Sequence, residues 1–371
     1  MASKMKNRVA RRIACCVLGA CQLLFGQSPG DQKSPLKLMR AEIKVPMAEA
    51  GEAGIQTVLV LPSIPGKHPL VLMTHGSDYS KSKNQQAGPG MMQPEAVWFA
   101  RRGWVVATVM RRGYGASGGK SDKTHYGCDE RDFAAIAEEN TADLMAVYEV
   151  VKKLPQVDGS SVVAVGNSAG GFAALALGAH APPALKAVIN FSGGWHSLFF
   201  AGSCAKSGLV PEFHNLGAAT HVPTLWLYAK NDNLFAPKYV ALMHHAFTSA
   251  GGEVEMPAIG KSGDDGHYLF SEGVEIWSPL VEGFLEEHGL PWQDLDSEDS
   301  ETVVKVPGSY PSEMRAAFLK WQKLGPNKAF AIEPNGEWSY SSGRKTLKVA
   351  EDEALDRCRN PQCKIVAYDG K

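Results

Sequence analysis

The sequence carries almost no net charge, because 38 Lys and Arg oppose 39 Asp and Glu for a formal net charge of -1. Without an excess of basic residues there is no reason to expect nucleic acid as a partner. No His-Glu-x-x-His pattern occurs, and no cysteine spacing suits a zinc site, so neither a metal nor another cofactor is predicted. What is present, 371 residues of which 44% are hydrophobic, is typical of a globular protein with one large domain and a small one.

The first 26 residues have the composition of a secretory signal peptide. An apolar stretch from Ile13 to Phe25 follows a segment that contains five cations, Lys4, Lys6, Arg8, Arg11 and Arg12. This stretch is too short to span a membrane comfortably, but it matches the hydrophobic region of a signal. We therefore predict cleavage near Gly26 and a secreted or periplasmic protein. Lipid attachment at Cys21 is the alternative, and the arginines close upstream argue against it.

Three of the seven cysteines lie in the predicted signal, which leaves an even number: Cys128, Cys204, Cys358 and Cys363. An even number is expected in an oxidising compartment. Three pairings are possible, and we prefer Cys128 with Cys204 and Cys358 with Cys363. Four free buried thiols in a cytosolic protein are the alternative.

Apolar runs alternate with helical segments over most of the chain. The runs that predict buried strands are Leu70–Met73, Trp104–Met110, Ser161–Val165, Ala187–Phe191, Pro223–Ala229 and Gly252–Ile259. The segments that predict helices between or after them are Pro94–Arg102, Asp132–Leu154, Pro237–Ala250 and Val274–His288. Two looser segments, Leu36–Pro46 and Gly54–Leu61, predict an antiparallel edge, and the segment 197–221 has no clear period. This alternation predicts an α/β fold, a mostly parallel sheet with helices on both faces.

The composition changes after Pro291, where acidic residues predict a linker over residues 291–310. Residues 311–371 then predict a small α+β unit of two helices and two strands, with Cys358 and Cys363 joining its last helix to its last strand. This unit matches no catalytic pattern and is a candidate interaction module.

The segment around Ser168 combines a buried strand, a sharp turn and a small-residue helix without a gap. Its turn is Gly166-Asn167-Ser168-Ala169-Gly170-Gly171. Gly-x-Ser-x-Gly at such a junction is typical of a nucleophile elbow, where glycines remove Cβ atoms that would clash. Ser168 is the candidate nucleophile, and the amide of Ala169 faces any developing negative charge. A glycine-rich turn with a capping serine is the alternative, which this setting disfavours.

An acid and a base follow Ser168 in the order expected for an elbow serine. Asp232 and His267 both stand in loops after predicted strands, at the sheet edge where Ser168 would emerge. The base takes the serine proton, and the acid holds the tautomer of the base. The loop with Gly76 and Ser77, after another predicted strand, is where a second oxyanion donor would lie.

Several other polar groups compete for these roles: Asp264, Asp265, His196, His214, His244 and His245. The two acids are turn residues by their pattern, two histidines lie within a predicted helix, and the other two lie in the irregular segment. We also predict Tyr114, Trp195 and His196 as walls of a substrate pocket. Arg111, Arg112 and Tyr114 equally suit structural anchoring of their own loop.

A literal Gly-x-Gly-x-x-Gly follows the strand at 104–110, at Gly113, Gly115 and Gly118. A dinucleotide site would need an apolar helix immediately after it. The chain continues instead with polar residues, Lys120 to His125, so we interpret this pattern as a decoy.

From about residue 36 to 290 the chain resembles an α/β-hydrolase of the dienelactone hydrolase-like and prolyl oligopeptidase-like branch. The matching segments are His75-Gly76, Arg112-Gly113-Tyr114-Gly115-Ala116-Ser117, the elbow around Ser168, Asn231-Asp232 and Asp265-Gly266-His267. The resemblance implies Ser168 as nucleophile, Asp232 as orienting acid and His267 as base. It also implies an oxyanion hole made by the amides of Ala169 and of Ser77, the residue after Gly76.

The chain departs from this family pattern in two ways. Dienelactone hydrolases use a cysteine nucleophile where this chain has Ser168, and prolyl oligopeptidases usually carry a propeller domain for which this chain is too short. We therefore expect a serine hydrolase that cleaves an ester, thioester or small amide through an acyl-enzyme. The alternatives are a catalytically silent cell-envelope binding protein and a peptidase that acts on short peptides.

Overall fold

The computed structural model describes residues 36–78, 81–120, 131–195, 208–295, 312–322, 324, 327–333, 337–358 and 362–368. Several predictions fall on residues outside these ranges, namely those for the signal peptide (1–26), Cys21, Cys128, Cys204, His196 and linker residues 296–310. Within the ranges, no helix is both long and apolar enough to cross a membrane.

A large, mostly parallel sheet forms the centre of the fold. Its strands are β1 (Leu38–Val45), β2 (Ile55–Pro62), β3 (His68–Thr74), β4 (Val105–Val109), β5 (Val157–Asn167), β6 (Leu185–Phe191), β7 (Thr224–Leu227) and β8 (Val254–Glu255). They lie in the order β1-β2-β4-β3-β5-β6-β7-β8. The β1–β2 and β2–β4 pairs are antiparallel, and every later pair is parallel. The predicted antiparallel edge and parallel centre are therefore confirmed.

Helices cover both faces of this sheet, as predicted. They are α1 (Lys81–Gln86), α2 (Gln93–Ala100), α3 (Phe133–Val151), α4 (Ala169–His180), α5 (Leu209–Ala219), α6 (Pro237–Ser249), α7 (Leu269–Glu272) and α8 (Val274–Glu287). Alternate residues of β5 pack into two separate hydrophobic cores, one on each face of the sheet. Val162 and Ala164 pack with α3 and α4, while Val163 and Val165 pack with α2 and α8. Burial on both faces explains why residues 162–165 of this strand are continuously apolar.

The C-terminal residues form a second, smaller sheet with its own helices. Its elements are α9 (Ser312–Gln322), β9 (Ala329–Ile332), β10 (Trp338–Ser341), α10 (Leu347–Cys358) and β11 (Lys364–Tyr368), with β9 central in an antiparallel sheet. Phe318, Trp321 and Phe330 fill one face. A disulfide between Cys358 and Cys363 joins the end of α10 to β11. The predicted α+β unit and this disulfide are confirmed.

Three local predictions differ from the structure. The strand predicted over Gly252–Ile259 is only Val254–Glu255, because Pro257 has no N–H to continue the ladder. Residues predicted to be irregular form α5, which buries Leu209, Phe213 and Leu216 at helical spacing. Strand β10 was not predicted, since it is only four residues long and half of them are serines.

Candidate active site

Ser168 lies in the sharp turn that connects β5 to α4. Its φ of 56° is a left-handed conformation that non-glycine residues rarely adopt. A Cβ atom at Gly166 would lie 1.9 Å from the Gly170 carbonyl oxygen, and one at Gly170 would lie 2.4 Å from that of Thr74. Only glycine fits at these two positions, so the pattern around Ser168 has the packing reason that an elbow requires.

Asp232 is buried in the loop after β7 and is held by three hydrogen bonds. Its Oδ1 accepts from the amides of Leu234 and Phe235, both at 2.8 Å. Its Oδ2 accepts from Nδ1 of His267 at 3.2 Å. Burial alone would raise the pKa of Asp232, but the hydrogen bond and charge of His267 and the two amides together hold that pKa below its ordinary value. Asp232 is thus a carboxylate at neutral pH.

His267 lies in a short 3-10 helix, Gly266–Tyr268, in the loop after β8. Because Nδ1 faces Asp232, Nε2 is left to exchange a proton with a substrate-side group. Asp265 is a turn residue, as its pattern predicted: Oδ1 accepts from the amides of His267 at 3.0 Å and of Asn233 at 3.1 Å. It therefore connects the loop of the base to the loop of the acid.

Ser168 and His267 line the same cleft, whose volume is about 640 Å³. The described residues of its wall are Gly76, Ser77, Asp78, Lys83, Asn84, Gln86, Ala87, Gly88, Gly90, Met91, Asn167, Ser168, Leu234, His267, Tyr268 and Ser271. Most of the wall comes from residues 83–91 and 267–271. Apart from His267, no residue of these two segments lies in a pattern that the sequence analysis singled out, which is why the sequence did not point to them.

The predicted oxyanion donors lie beside Ser168. A Cβ atom at Gly76 would approach the Cβ atom of Ser168 to 3.1 Å, so the loop after β3 passes directly over the elbow. Ala169 is the first residue of the twelve-residue helix α4, where unpaired amides and the helix dipole favour negative charge. The amides of Ser77 and Ala169 thus belong to the two segments that flank the serine.

The loop that carries Gly76 is supported by a buried arginine and a buried histidine. Nη1 of Arg111 donates to the carbonyl of His75 at 2.6 Å and to Oγ1 of Thr74 at 2.8 Å. The Arg111 amide donates to Nε2 of His75, whose Nδ1 donates to the Gly76 carbonyl at 2.6 Å. Burial and the charge of Arg111 lower the pKa of His75 well below its usual value, so this ring stays neutral.

Arg112 is anchored on the other side of its loop. It binds Asp143, which is fully buried on α3, through Nε at 2.7 Å and through its amide at 2.9 Å. For Arg111 and Arg112, the structure thus matches structural anchoring rather than a pocket wall.

The predicted pocket residues Tyr114 and Trp195 are both buried, at 2% and 5% exposure. Neither is among the described residues that line the cleft. The Tyr114 hydroxyl instead shares a hydrogen bond of 2.6 Å with Oγ of Ser77, and its ring packs on His75. Tyr114 therefore contacts the predicted oxyanion loop through Ser77 and His75.

Besides Asp265, the structure describes four of the competing residues. Asp264 is exposed, His214 is exposed on α5, and His244 and His245 lie on α6, where the ring of His244 packs against Trp226. Across the described ranges, no cluster of three His, Cys, Asp or Glu side chains could hold a metal ion.

The glycine pattern at 113–118 forms a loop that packs on the end of β2. The Gly118 amide donates to the Gly54 carbonyl at 2.9 Å, and the Gly113 amide donates to the Gly118 carbonyl at 3.0 Å. A Cβ atom at Gly118 would lie 1.9 Å from the Ala50 carbonyl oxygen. Close packing within the protein accounts for the glycine at this position.

The sheet order, the covering helices and the elbow after β5 define an α/β-hydrolase. A family model described as X-Pro dipeptidyl-peptidase (S15 family) matches residues 51–249, more than half of the chain. The chain belongs to this family of α/β-hydrolases, and it is an enzyme of the serine hydrolase class. The matched range includes Ser168 and Asp232 and ends before His267. No curated protein matches the chain.

Three solved structures illustrate the range of similar proteins. Thermogutta terrifontis esterase 2 is 18% identical with a TM-score of 0.49, and the match covers 68% of this chain and 96% of that one. An acylaminoacyl peptidase from Pyrococcus horikoshii is 15% identical with a TM-score of 0.49, covering 76% of this chain and 44% of that one. A dienelactone hydrolase-like phosphotriesterase from metagenomic libraries is 15% identical with a TM-score of 0.44, covering 62% and 83%.

Proposed function

We propose that the protein cleaves an ester, thioester or small amide through an acyl-enzyme on Ser168. The observation that carries this proposal is the buried contact between Asp232 and Nδ1 of His267, at a cleft that Ser168 also lines. Asp232 is the orienting acid and His267 the general base. The amides of Ala169 and Ser77, beside Gly76, form the oxyanion hole.

The proposed reaction needs two proton transfers through His267. Nε2 of His267 takes the proton of the Ser168 hydroxyl as Oγ attacks the acyl carbon, and the same proton passes to the leaving group when the tetrahedral intermediate collapses. Water then attacks the acyl-enzyme with the same two proton transfers through His267, which releases the acid and restores Ser168. The two amides stabilise the oxyanion of each intermediate. The lowered pKa of Asp232 keeps its carboxylate charged, which favours the protonated ring of His267 between these steps.

Labelling with a fluorophosphonate probe tests this proposal. The wild-type protein should be labelled at Ser168 and should hydrolyse p-nitrophenyl acetate, and Ser168→Ala should lose both reactions. Ser271→Ala is a matched control, because Ser271 also lines the cleft but lies on α7. Full esterase activity in Ser168→Ala, or a folded wild-type protein that no short acyl ester or probe reacts with, would refute the proposal.

A peptidase that acts on short peptides is the second candidate. The family match favours it, because the family is described as an X-Pro dipeptidyl-peptidase. A pair of dipeptide p-nitroanilides that end in proline tests it. The one with a free amino group should release p-nitroaniline faster than the one whose amino group is blocked. Equal rates on both, below the rate on acyl esters, would favour the esterase.

We also propose that the protein is exported, with the C-terminal unit as a candidate contact module. Support for export comes from the composition of residues 1–26 and from the disulfide between Cys358 and Cys363. N-terminal sequencing of the protein from its native cells should begin near Gln27. A start at Met1 or Ala2, or a lipid on Cys21, would contradict cleavage near Gly26.

A further inference from the structure

The turn that follows β6 holds the backbone of Ser168 from two sides. The Ser168 amide donates to the Phe191 carbonyl at 2.8 Å, and the Gly194 amide donates to the Ser168 carbonyl at 3.1 Å. Such support matters, because a non-glycine residue at a φ of 56° costs on the order of 1–3 kcal/mol and stays there only when its surroundings impose it. The position of Ser168 therefore depends on the position of residues 191–194.

The hydroxyl of Tyr228 connects this turn to β7. It donates to the Gly193 carbonyl at 2.6 Å and accepts from Nδ2 of Asn190 at 3.2 Å. Tyr228 is 8% exposed and Asn190 on β6 is fully buried. Burial raises the pKa of Tyr228 above its usual value, so the hydroxyl keeps its proton and remains a donor. The carbonyl of Gly193 thus has its position set by a side chain from the neighbouring strand.

The turn at residues 191–194 is in direct contact with the first helical turn of α4. A Cβ atom at Gly171 would lie 2.7 Å from Cα of Gly193 and 2.3 Å from Oδ1 of Asn190. There is no free space between the two segments, so a shift of Gly193 must be transmitted to α4 or to Ser168. Tyr228 itself is not among the described residues that line the cleft.

We propose that Tyr228 is a positioning residue that holds Ser168 through the turn 191–194, an inference that rests on the proposed function. Its hydroxyl fixes the Gly193 carbonyl, and the next amide, that of Gly194, holds the carbonyl of Ser168. Without the hydroxyl, the buried carbonyl of Gly193 loses its donor and the turn relaxes. Oγ of Ser168 then moves relative to Nε2 of His267 and to the oxyanion amides.

Tyr228→Phe tests this proposal, because it removes one oxygen atom and leaves the ring. We expect kcat on p-nitrophenyl acetate and the rate of fluorophosphonate labelling to fall by about 10- to 100-fold with KM unchanged, since small misplacements of reacting groups have effects of this size. Tyr148→Phe is the matched control. Tyr148 is 9% exposed and its hydroxyl donates to the Gly159 carbonyl at 3.0 Å, at the end of β5 opposite Ser168. This control should lose comparable thermal stability and keep the wild-type labelling rate.

The outcomes distinguish this inference from the proposed function. A wild-type protein that the probe does not label overturns both. If the wild type is labelled and Tyr228→Phe is labelled as fast, or if both variants lose the same fraction of the rate, Tyr228 has no positioning role and the proposed function stands. If Tyr228→Phe is unfolded by circular dichroism at the assay temperature, Asn190→Ala replaces it. That variant should show a smaller loss in the same direction, and an unchanged labelling rate in it overturns the inference.

Discussion

Asp232 combines complete burial with three hydrogen bonds, and it is the side chain on which the proposed role of His267 depends. Its two amide donors come from its own loop, at Leu234 and Phe235, so the carboxylate is oriented before any substrate binds. Its third partner, Nδ1 of His267, comes from the loop after the neighbouring strand. An imidazole held in this way keeps Nε2 available as a base.

Asp232→Asn should lower kcat on p-nitrophenyl acetate by roughly 10³- to 10⁴-fold, because a neutral amide neither fixes the tautomer of His267 nor stabilises its protonated form. Steady-state kinetics with a check of the melting temperature measures this. Asp264→Asn is the control, since Asp264 is exposed and lies three residues before His267. A decrease of less than tenfold for Asp232→Asn, or equal losses in both variants, would assign the orienting role elsewhere.

At the scale of elements, α2 carries a buried acid in its first turn. Glu95 is fully buried, and among the described residues no partner residue forms a hydrogen bond with either carboxylate oxygen. Ala96 and Phe99 beside it belong to the core between the sheet and α8. Burial raises the pKa of Glu95 to about 7. The same helix follows residues 88–91, which line the cleft, so its stability bears on the wall of the site.

The contribution of Glu95 to the free energy of unfolding should therefore fall as pH rises from about 4.5 to 7. In this window the folded state keeps a proton on Glu95, whereas the unfolded chain has released it. Each rise in pH therefore favours the unfolded chain, until Glu95 is also charged in the folded state. A rise of the pKa from 4.5 to about 7 corresponds to roughly 3 kcal/mol of destabilisation above pH 7. Glu95→Gln should remove this loss: it should be more stable than the wild type at pH 8 and equally stable at pH 4, by urea denaturation.

Glu275→Gln is the matched control for that measurement, because Glu275 also lies in the first turn of a helix, α8, but is exposed. Its stability should follow the wild type at both pH values. A Glu95→Gln variant without a gain in stability over the wild type at pH 8 would show that the carboxylate has a partner in solution.

At the scale of the whole molecule, the hydrophobic cores of the two sheets are separate. The two clusters around the large sheet contain residues between Val45 and Leu290, and the clusters of the small sheet contain residues between Met314 and Cys363. Helix α9 touches α8, and contacts group Leu36–Lys371 as one compact unit, so the predicted boundary at 291–310 stays a prediction. No residue of the small sheet is among the described residues that line the cleft.

A chain that ends at Tyr310 should keep the esterase activity and the probe labelling of the full chain within about threefold, because a unit with its own core can be removed without opening its neighbour. The measurement is kcat/KM on p-nitrophenyl acetate for both chains, with the mature N-terminus in each. Loss of labelling in a truncated chain that still melts cooperatively would show that residues 311–371 complete the site. If the shortened chain kept full activity but no longer bound a partner that the full chain binds, residues 311–371 would instead be a contact module.

Most of the fold could be predicted because its signals are local. Buried strands contain continuous apolar runs, such as residues 162–165 of β5. The elbow requires Gly166, Ser168 and Gly170 within five residues of one another, so a short stretch of sequence carries the whole constraint. The differences concern β8, which Pro257 shortens, the four-residue strand β10, which was not predicted, and α5, which lies in a segment where no clear period was recognised. The candidate acid and base could be predicted from chain order, but their contact could not be read from any local pattern.

The α/β class, the antiparallel edge, the elbow and the chain order of Ser168, Asp232 and His267 all follow from the amino-acid sequence alone. Which side chains meet is a property of the folded chain, because contacts between loops depend on the order of strands in the sheet. Tyr114 illustrates this: its position in a motif suggested a pocket wall, whereas packing turns its hydroxyl toward Ser77. Tyr228 lies in no motif, and its contact with Gly193 exists because β6 and β7 are neighbours.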